Sequence, residues 1–161
     1  IANYKGIAQT SFKDYVGAKQ SFTEAYNVNP YNLQVINNLG TSYDLTGDKK
    51  TALLYYQKAL DISPRYKEAL INKAIVHYNL NEFDKAMECI LKVPANEKNP
   101  DKFEKTMLTI CKRKAISLGN RCDEAKIIKW LQDDNSIKAT FAKVQKTKEK
   151  FDVILLQELA K

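Results

Sequence analysis

The chain has 161 residues, of which 44% are hydrophobic and 28% are charged, and its formal net charge at pH 7 is +7. These proportions are ordinary for one soluble globular domain. No apolar run approaches the roughly 18–20 residues that a membrane-spanning helix needs, so the sequence predicts no span within this chain. The chain begins at Ile1 rather than at an initiator methionine, and for this reason we expect it to be a fragment of a longer protein.

A sequence repeat is marked by Pro30 and Pro64, which stand 34 residues apart. The segment between them begins its pattern at Leu33 and has a turn at Gly47 and Asp48. It alternates small residues, where two helices must approach closely, with large residues that fill the gaps. The small residues are Gly40, Ala52 and Ala59, and the large ones are Ile36, Tyr43 and Tyr56. A period of this length predicts a pair of helices that must stack on neighbouring pairs to bury its apolar face.

This pattern resembles the tetratricopeptide repeat family. The resemblance implies an all-α fold, a right-handed solenoid of helix-turn-helix repeats. Moving the frame by one period predicts three repeats over residues 1–94, at 1–32, 33–66 and 67–94. The first repeat is clipped at its start, and the third is looser because Lys73 stands where the family has leucine.

Residues 95–161 are predicted to continue the same solenoid as a degenerate fourth hairpin and a basic capping helix. The loop ANEKNP precedes a helix expected over about 101–118, which Gly119 and Asn120 end. The second helix of the hairpin is expected to begin near Asp123. Ser136 is predicted to cap one long last helix that runs to about Ala160 and covers the end of the stack.

The positive charge is concentrated in two clusters of the second half. They are Lys143, Lys146, Lys148 and Lys150 in the predicted last helix, and Lys112, Arg113 and Lys114 before it. One interpretation is an electrostatic platform for acidic partners, and the other is the solvated face of a capping helix. Nucleic-acid binding is not predicted, because proteins of that class usually add arginines and the chain has only three.

The sequence predicts no catalytic residues, no metal site and no cofactor, and therefore no enzyme. His77, the only histidine, occupies a repeat position where the family buries an aromatic residue, and we expect it to be packed. Cys89 lies on the partner helix of the same repeat, but a buried repeat core gives a substrate no access. Cys111 and Cys122 are too far apart in the predicted hairpin for a disulfide, so the three cysteines are interpreted as small apolar residues.

The resemblance implies a binding groove lined by the first helix of each repeat, with a peptide or protein partner. The positions that face it are Asn3, Tyr4, Ile7 and Thr10, then Gln34, Asn37, Asn38, Thr41 and Asp44, then Glu68, Ile71, Asn72, Ile75 and Tyr78. This surface is neutral and rich in amides, which both donate and accept hydrogen bonds and can bridge an extended backbone. The alternative interpretation is that these asparagines are merely solvated.

One subclass of the family captures the acidic C-terminal tails of heat-shock chaperones with a clamp of lysines, an arginine and asparagines. Asn38 matches one asparagine of this clamp. Asn3 and Glu68 stand where lysines are expected, Ile7 stands where an asparagine is, and Asn72 stands where the basic residue is. The departures predict that the partner is not a chaperone carboxylate tail.

Three functional hypotheses follow. The first is a non-catalytic module of a larger protein that binds a partner through the groove. The second is an accessory domain of a bacterial envelope protein, because membrane proteins of the O-antigen ligase or polymerase type carry similar arrays. The third is the electrostatic platform. The compartment stays open between the bacterial cytoplasm and the periplasmic part of a membrane protein.

Overall fold

The structure is a computed structural model that describes residues 1–94 and 100–161. Within these residues the regular structure is all helical, which confirms the predicted all-α class. The helices of the three repeats are α1 (Ala2–Ser11), α2 (Tyr15–Val28), α3 (Leu33–Leu45), α4 (Lys49–Ile62), α5 (Lys67–Asn79) and α6 (Phe83–Leu91). They are followed by α7 (Pro100–Ser117), α8 (Glu124–Gln132), α9 (Asp134–Thr147) and α10 (Phe151–Leu159), with a 3-10 turn at Gly119–Arg121. The predicted loop falls mainly on residues 95–99, which lie outside the described residues.

The second helices of the first two repeats, α2 and α4, begin at equivalent capping residues. The side chain of Asp14 accepts a hydrogen bond from the backbone N–H of Gly17 at 2.9 Å. One period later, Asp48 accepts from the N–H of Thr51 at 3.0 Å. Each such cap satisfies a donor that the helix itself leaves free, and is worth about 1 kcal/mol. In each of the first two repeats, the cap therefore fixes the turn between the two helices from local sequence alone.

In each of the first two repeats the two helices touch at a glycine, as the pattern of small residues predicts. A Cβ atom built on Gly40 would lie 2.8 Å from the ring of Tyr56, and one built on Gly6 would lie 2.6 Å from the ring of Phe22. Both rings are almost fully buried. The aromatic side chain thus occupies the space that any larger residue at the glycine would need.

We expect Gly40→Ala to destabilise the fold although alanine is the better helix former. The new methyl group overlaps a ring that has no room to move, at a cost of about 1–3 kcal/mol, against a gain in helix preference of about 1 kcal/mol. Urea unfolding should show a net loss of up to about 2 kcal/mol. In the control, Gly119→Ala, the methyl group meets no atom within 4 Å. A gain in stability for Gly40→Ala, like that expected from helix preference alone, would contradict the close packing.

The helices form two compact units, and α5 contributes to both. The first unit holds residues 1–76 and 92–94. Its core includes Leu39, which packs with Ala18 and Phe22 of the preceding repeat. Beside this cluster the ring of Tyr43 stacks on that of Tyr55 at 5.4 Å between centroids. Apolar contact between consecutive repeats therefore follows the predicted pattern.

The second unit holds residues 77–91 and the described residues from 100 onward. In it α6 packs against α7, and α9 packs against α10. Lys114 in α7 lies 3.1 Å from the carboxylate of Asp84 in α6 and adds an ion pair to this contact. Its deeply buried apolar side chains include Ile90, Ile110, Cys111, Leu118, Ile137, Val144 and Leu155. Pro100, Asp123 and Gly119 stand at the helix boundaries that the sequence predicts for the hairpin.

The prediction of one long last helix is wrong, because α9 and α10 are separate. Lys148 adopts a left-handed conformation, with φ 60° and ψ 15°, and its N–H bonds the carbonyl of Val144. This conformation costs about 1–2 kcal/mol for a residue other than glycine. The break lets Phe151, Ile154, Leu155 and Leu159 become buried in the second unit. Each buried side chain of this size contributes about 1.5–3 kcal/mol, so burial outweighs the strain.

The predicted capping residue of this region is also wrong. Asp133, and not Ser136, caps α9, because its carboxylate accepts from the N–H of Asn135 at 3.0 Å. The hydroxyl of Ser136 donates to the same carboxylate at 2.6 Å. Ser136 therefore lies inside the first turn and supports the cap. The carboxylate of Asp133 caps the helix in place of the hydroxyl of Ser136 because it can accept both hydrogen bonds at once.

Candidate functional site

The residues predicted to line the groove lie on α1, α3 and α5. Tyr4 is 77% exposed and Ile7 is 37% exposed on α1. Among the others, Gln34 and Glu68 are exposed and Asn37 is buried. The remaining predicted residues are half-buried: Asn3, Thr10, Asn38, Thr41, Asp44, Ile71, Asn72, Ile75 and Tyr78.

Four asparagines, here called the amide row, connect the first helices of consecutive repeats. The side-chain amide of Asn38 donates to the side-chain carbonyl of Asn3 at 3.2 Å. One repeat later, the amide of Asn72 donates to the carbonyl of Asn37 at 3.1 Å. Both pairs join residues 35 positions apart. The structure thus brings the predicted asparagines together across α1, α3 and α5.

Thr41 connects the amide row to the repeat core. Its hydroxyl lies 3.5 Å from the amide nitrogen of Asn72 and 3.1 Å from the hydroxyl of Tyr56. Burial raises the pKa of Tyr56 to about 12, so this hydroxyl stays neutral at physiological pH. The side chain of Thr41 also donates to the backbone carbonyl of Asn37 at 3.1 Å. A continuous set of neutral polar groups therefore runs from the groove residues to the inside of the second repeat.

The amide row keeps hydrogen-bonding capacity that these bonds do not use. Each asparagine amide carries two N–H donors and a carbonyl that can accept two bonds. Asn38 donates one N–H to the preceding repeat, whereas Asn72 donates to both Asn37 and Thr41 of the preceding repeat. The side-chain carbonyls of these two residues and the second N–H of Asn38 have the chemistry that an extended peptide backbone requires. The charge of Asp44 beside the row is paired with Lys49 at 2.7 Å.

Tyr78 belongs to the second unit, where its hydroxyl and its ring are both engaged. Arg113 donates from Nε to the hydroxyl of Tyr78 at 3.0 Å, and its guanidinium carbon lies 5.5 Å from the ring centroid. The ring of Phe83 also lies 5.9 Å away. Sequence analysis grouped Arg113 with its lysine neighbours and missed this contact, for which the only signal is an arginine one period beyond a tyrosine.

Four residues of the two basic clusters have partners within the second unit. Besides Lys114 and Arg113, Lys112 lies 3.7 Å from Asp134. Lys143 forms an ion pair with Glu158. The other three members, Lys146, Lys148 and Lys150, are exposed. Three of these seven positive charges are therefore paired with carboxylates, and the electrostatic platform stays a prediction.

His77 is 7% exposed, as its repeat position predicts, and Nδ1 lies 3.7 Å from a carboxylate oxygen of Glu82. Lys85 pairs with the same carboxylate, and this contact first, then His77, holds the pKa of Glu82 below its usual value. The thiol of Cys111 is buried, which raises its pKa to about 12. Within residues 1–94 and 100–161, no cluster of histidine, cysteine and acidic residues could hold a metal ion. None of the described helices is long and apolar enough to cross a membrane.

Comparison with known proteins agrees with the sequence pattern. The family model described as Tetratricopeptide repeat matches residues 46–103. An uncharacterized protein of Methanocaldococcus jannaschii is 38% identical over 53 residues, which are 33% of this chain and 62% of that protein. Photosystem I assembly protein Ycf3 of Synechococcus elongatus is 28% identical over 80 residues, which are 48% of this chain and 46% of Ycf3. The chain thus spans less than two thirds of these relatives.

The fold is also similar to a solved structure. The TPR domain of Sgt2 from Aspergillus fumigatus superposes with a TM-score of 0.66 and 24% identity, over 74% of this chain and 80% of that domain. At this identity the likeness concerns the fold alone. The link to arrays of O-antigen ligase type stays a prediction. Residues 46–103 therefore match the tetratricopeptide repeat family, and the paired helices of the chain have a fold similar to that of a solved TPR domain.

Proposed function

We propose that the chain is a non-catalytic module that binds an extended, uncharged peptide segment of a protein partner along α1, α3 and α5. The observation that carries this proposal is the amide row. Its asparagines are already held in place across three helices, and the side-chain carbonyls of Asn38 and Asn72 and one N–H of Asn38 remain for a partner. A peptide strand exposes alternating N–H and C=O groups, which such amides can satisfy in either direction.

The chemistry around the row favours a partner segment without a carboxylate. A carboxylate needs cationic or multiple N–H donors, yet the exposed acidic residue Glu68 lies on α5 beside the row. Exposed Tyr4 and Ile7 add apolar area on α1 for side chains of the partner. Similarity to Ycf3, which is named as an assembly protein, supports a protein rather than a small molecule as the partner class.

The test is a pull-down from lysate with the whole chain, at low and at moderately high salt, beside Asn38→Ala/Asn72→Ala. We expect the amount of captured partner to be unchanged by added salt. The double variant should capture about tenfold less or lower still, because each lost bond to a buried polar group costs about 1 kcal/mol or more. The matched control is Gln20→Ala/Asn27→Ala, which changes two exposed polar residues of α2. Partners retained by the double variant would contradict the groove as the site.

Removal of Asn72 also leaves the carbonyl of Asn37 without its donor. A second arm therefore uses Tyr4→Ala, which changes an exposed side chain of the same surface. Thermal unfolding followed by circular dichroism checks that each variant is folded. Loss of the partner in Tyr4→Ala, with unchanged unfolding temperature, would support the surface independently of the amide row.

A further inference from the structure

A second line of side chains runs beside the amide row and has an isoleucine at each end. Ile7, Thr41 and Ile75 stand 34 residues apart and occupy equivalent positions of α1, α3 and α5. Thr41 follows Asn38 by three residues, and Ile75 follows Asn72 by three, so both lie about 4.5 Å further along the same face of their helices. The amide nitrogen of Asn72 lies 3.5 Å from the hydroxyl of Thr41. The amide row and this second line, here called the isoleucine line, therefore border each other.

The isoleucine line is apolar at its ends and polar at its centre. Ile7 is 37% exposed, and Ile75 is half-buried. The hydroxyl of Thr41 lies 3.1 Å from that of Tyr56 and donates to the backbone carbonyl of Asn37. The centre is thus occupied by groups that already bond within the protein. Apolar contact with a partner is available on α1 and on α5, with α3 between them.

The spacing of these helices limits the backbone conformation of a partner. Helices in contact lie about 8–10 Å apart, which sets the advance from one repeat to the next. Three residues of a polyproline II helix advance about 9 Å, and every third side chain points in the same direction. Three residues of a β-strand advance about 10 Å, but its side chains alternate, so residue i+3 faces away from residue i. Of these two extended conformations, only polyproline II places equivalent side chains over α1, α3 and α5.

The amide row suits the backbone of the same conformation. A polyproline II segment makes no internal hydrogen bonds, so its N–H groups need acceptors. Two of them, three residues apart, can donate to the side-chain carbonyls of Asn38 and Asn72, which remain for a partner. Proline at these two positions would remove the donor, whereas proline at the residue before each of them keeps the extended conformation.

We propose that the bound segment is a polyproline II stretch in which two apolar side chains, at residues i and i+6, contact Ile7 and Ile75 in either chain direction. Residue i+3 is small, faces Thr41 and contributes mainly its backbone. The proposal rests on the groove of the proposed function and adds the spacing that a partner segment must have.

The probe is acetyl-Leu-Ala-Pro-Ser-Ala-Pro-Leu-amide, whose leucines have the i, i+6 spacing. The matched isomer, acetyl-Leu-Ala-Pro-Leu-Ser-Pro-Ala-amide, keeps the prolines and the N–H pattern but places its leucines at i and i+3. Titrations of the whole protein are followed in ¹H–¹⁵N spectra through the side-chain amides of Asn38 and Asn72. We expect the isomer to bind about tenfold more weakly, because one of its leucines no longer contacts an isoleucine.

Ile7→Ala is expected to weaken binding of the first peptide about fivefold, because it removes apolar contact area on α1. The control Ile62→Ala removes the same atoms from a 46% exposed isoleucine of α4 and should change binding less than about twofold. Thermal unfolding checks that both variants are folded. Equal loss of affinity in the two variants would overturn the proposal.

The two peptides separate failure of the spacing from failure of the groove. Equal affinity of both peptides would overturn the spacing, and the groove would stand if both lost binding in Asn38→Ala/Asn72→Ala. Side-chain amide resonances that neither peptide shifts would overturn the spacing as well. The pull-down then reads the groove separately, because it uses a partner from lysate rather than these peptides.

Discussion

Replacement of Tyr56 by alanine is expected to lower the free energy of unfolding by about 3–5 kcal/mol, as for other large buried aromatic residues. The ring is 1% exposed and fills the space above Gly40, so its removal leaves a cavity between α3 and α4. Backbone packed around a glycine cannot close such a gap without moving both helices. Urea unfolding followed by circular dichroism measures the loss.

The control for this substitution is Tyr56→Phe, which keeps the ring and removes only the hydroxyl. We expect it to cost about 0.5–1.5 kcal/mol, the usual value of one hydrogen bond, because Thr41 retains its bond to the backbone carbonyl of Asn37. If alanine and phenylalanine had similar effects, the contact with Gly40 would not be what stabilises the repeat.

Leu155→Ala is expected to lower the free energy of unfolding by about 2–5 kcal/mol. This leucine is fully buried in the second unit and belongs to α10, the helix that exists only because the chain breaks at Lys148. The matched control is its half-buried neighbour Leu156→Ala, which should cost about 1 kcal/mol since less apolar surface is lost.

The two leucine variants also test the direction in which α10 faces. In a single continuous helix, residues 155 and 156 would be placed by the register of α9. If Leu156→Ala proved as costly as Leu155→Ala, the orientation of α10 would be contradicted. Chemical unfolding with unchanged dependence on urea concentration ensures that both values refer to the same transition.

The repeats could be predicted because their signals are local. The capping aspartate at Asp14 and Asp48 recurs with the period, and so does the glycine represented by Gly40. Each of these residue types is compatible with one local structure, a helix start or a close helix contact. The third repeat shows how a departure is accommodated: Lys73, in place of leucine, donates from Nζ to the side chain of Gln57 at 2.7 Å. The lysine stem remains half-buried while its charge stays near water.

The end of the chain could not be predicted in the same way. Nothing between Val144 and Phe151 is a glycine or a proline, so the sequence contains no helix-breaking signal. The break is favoured by apolar burial spread over α10, which depends on where other helices lie. The cap at Asp133 could not be predicted for the opposite reason, because residues 133–136 are all of capping type and only the folded backbone selects one of the four.

The sequence predicts which helices carry the residues of the candidate groove, but it does not predict the hydrogen bonds between those residues. The family frame places Asn38 and Asn72 on the first helices, but a pattern of residue types does not reveal which amide donates to which. Tyr78 illustrates the limit, because its ring and hydroxyl are engaged by Arg113 from a helix that matches the repeat pattern poorly.

The amide row has an entropic consequence. An asparagine side chain on a free surface samples several rotamers, and a partner that fixes it loses part of its binding free energy, about 0.5–1.5 kcal/mol for each immobilised side chain. In this protein the bonds from Asn38 to Asn3 and from Asn72 to Asn37 restrict these rotamers before any partner arrives. The asparagine side chains therefore lose this conformational entropy during folding rather than on binding. The free energy of the contacts that a peptide makes with these amides then contributes almost fully to the binding free energy.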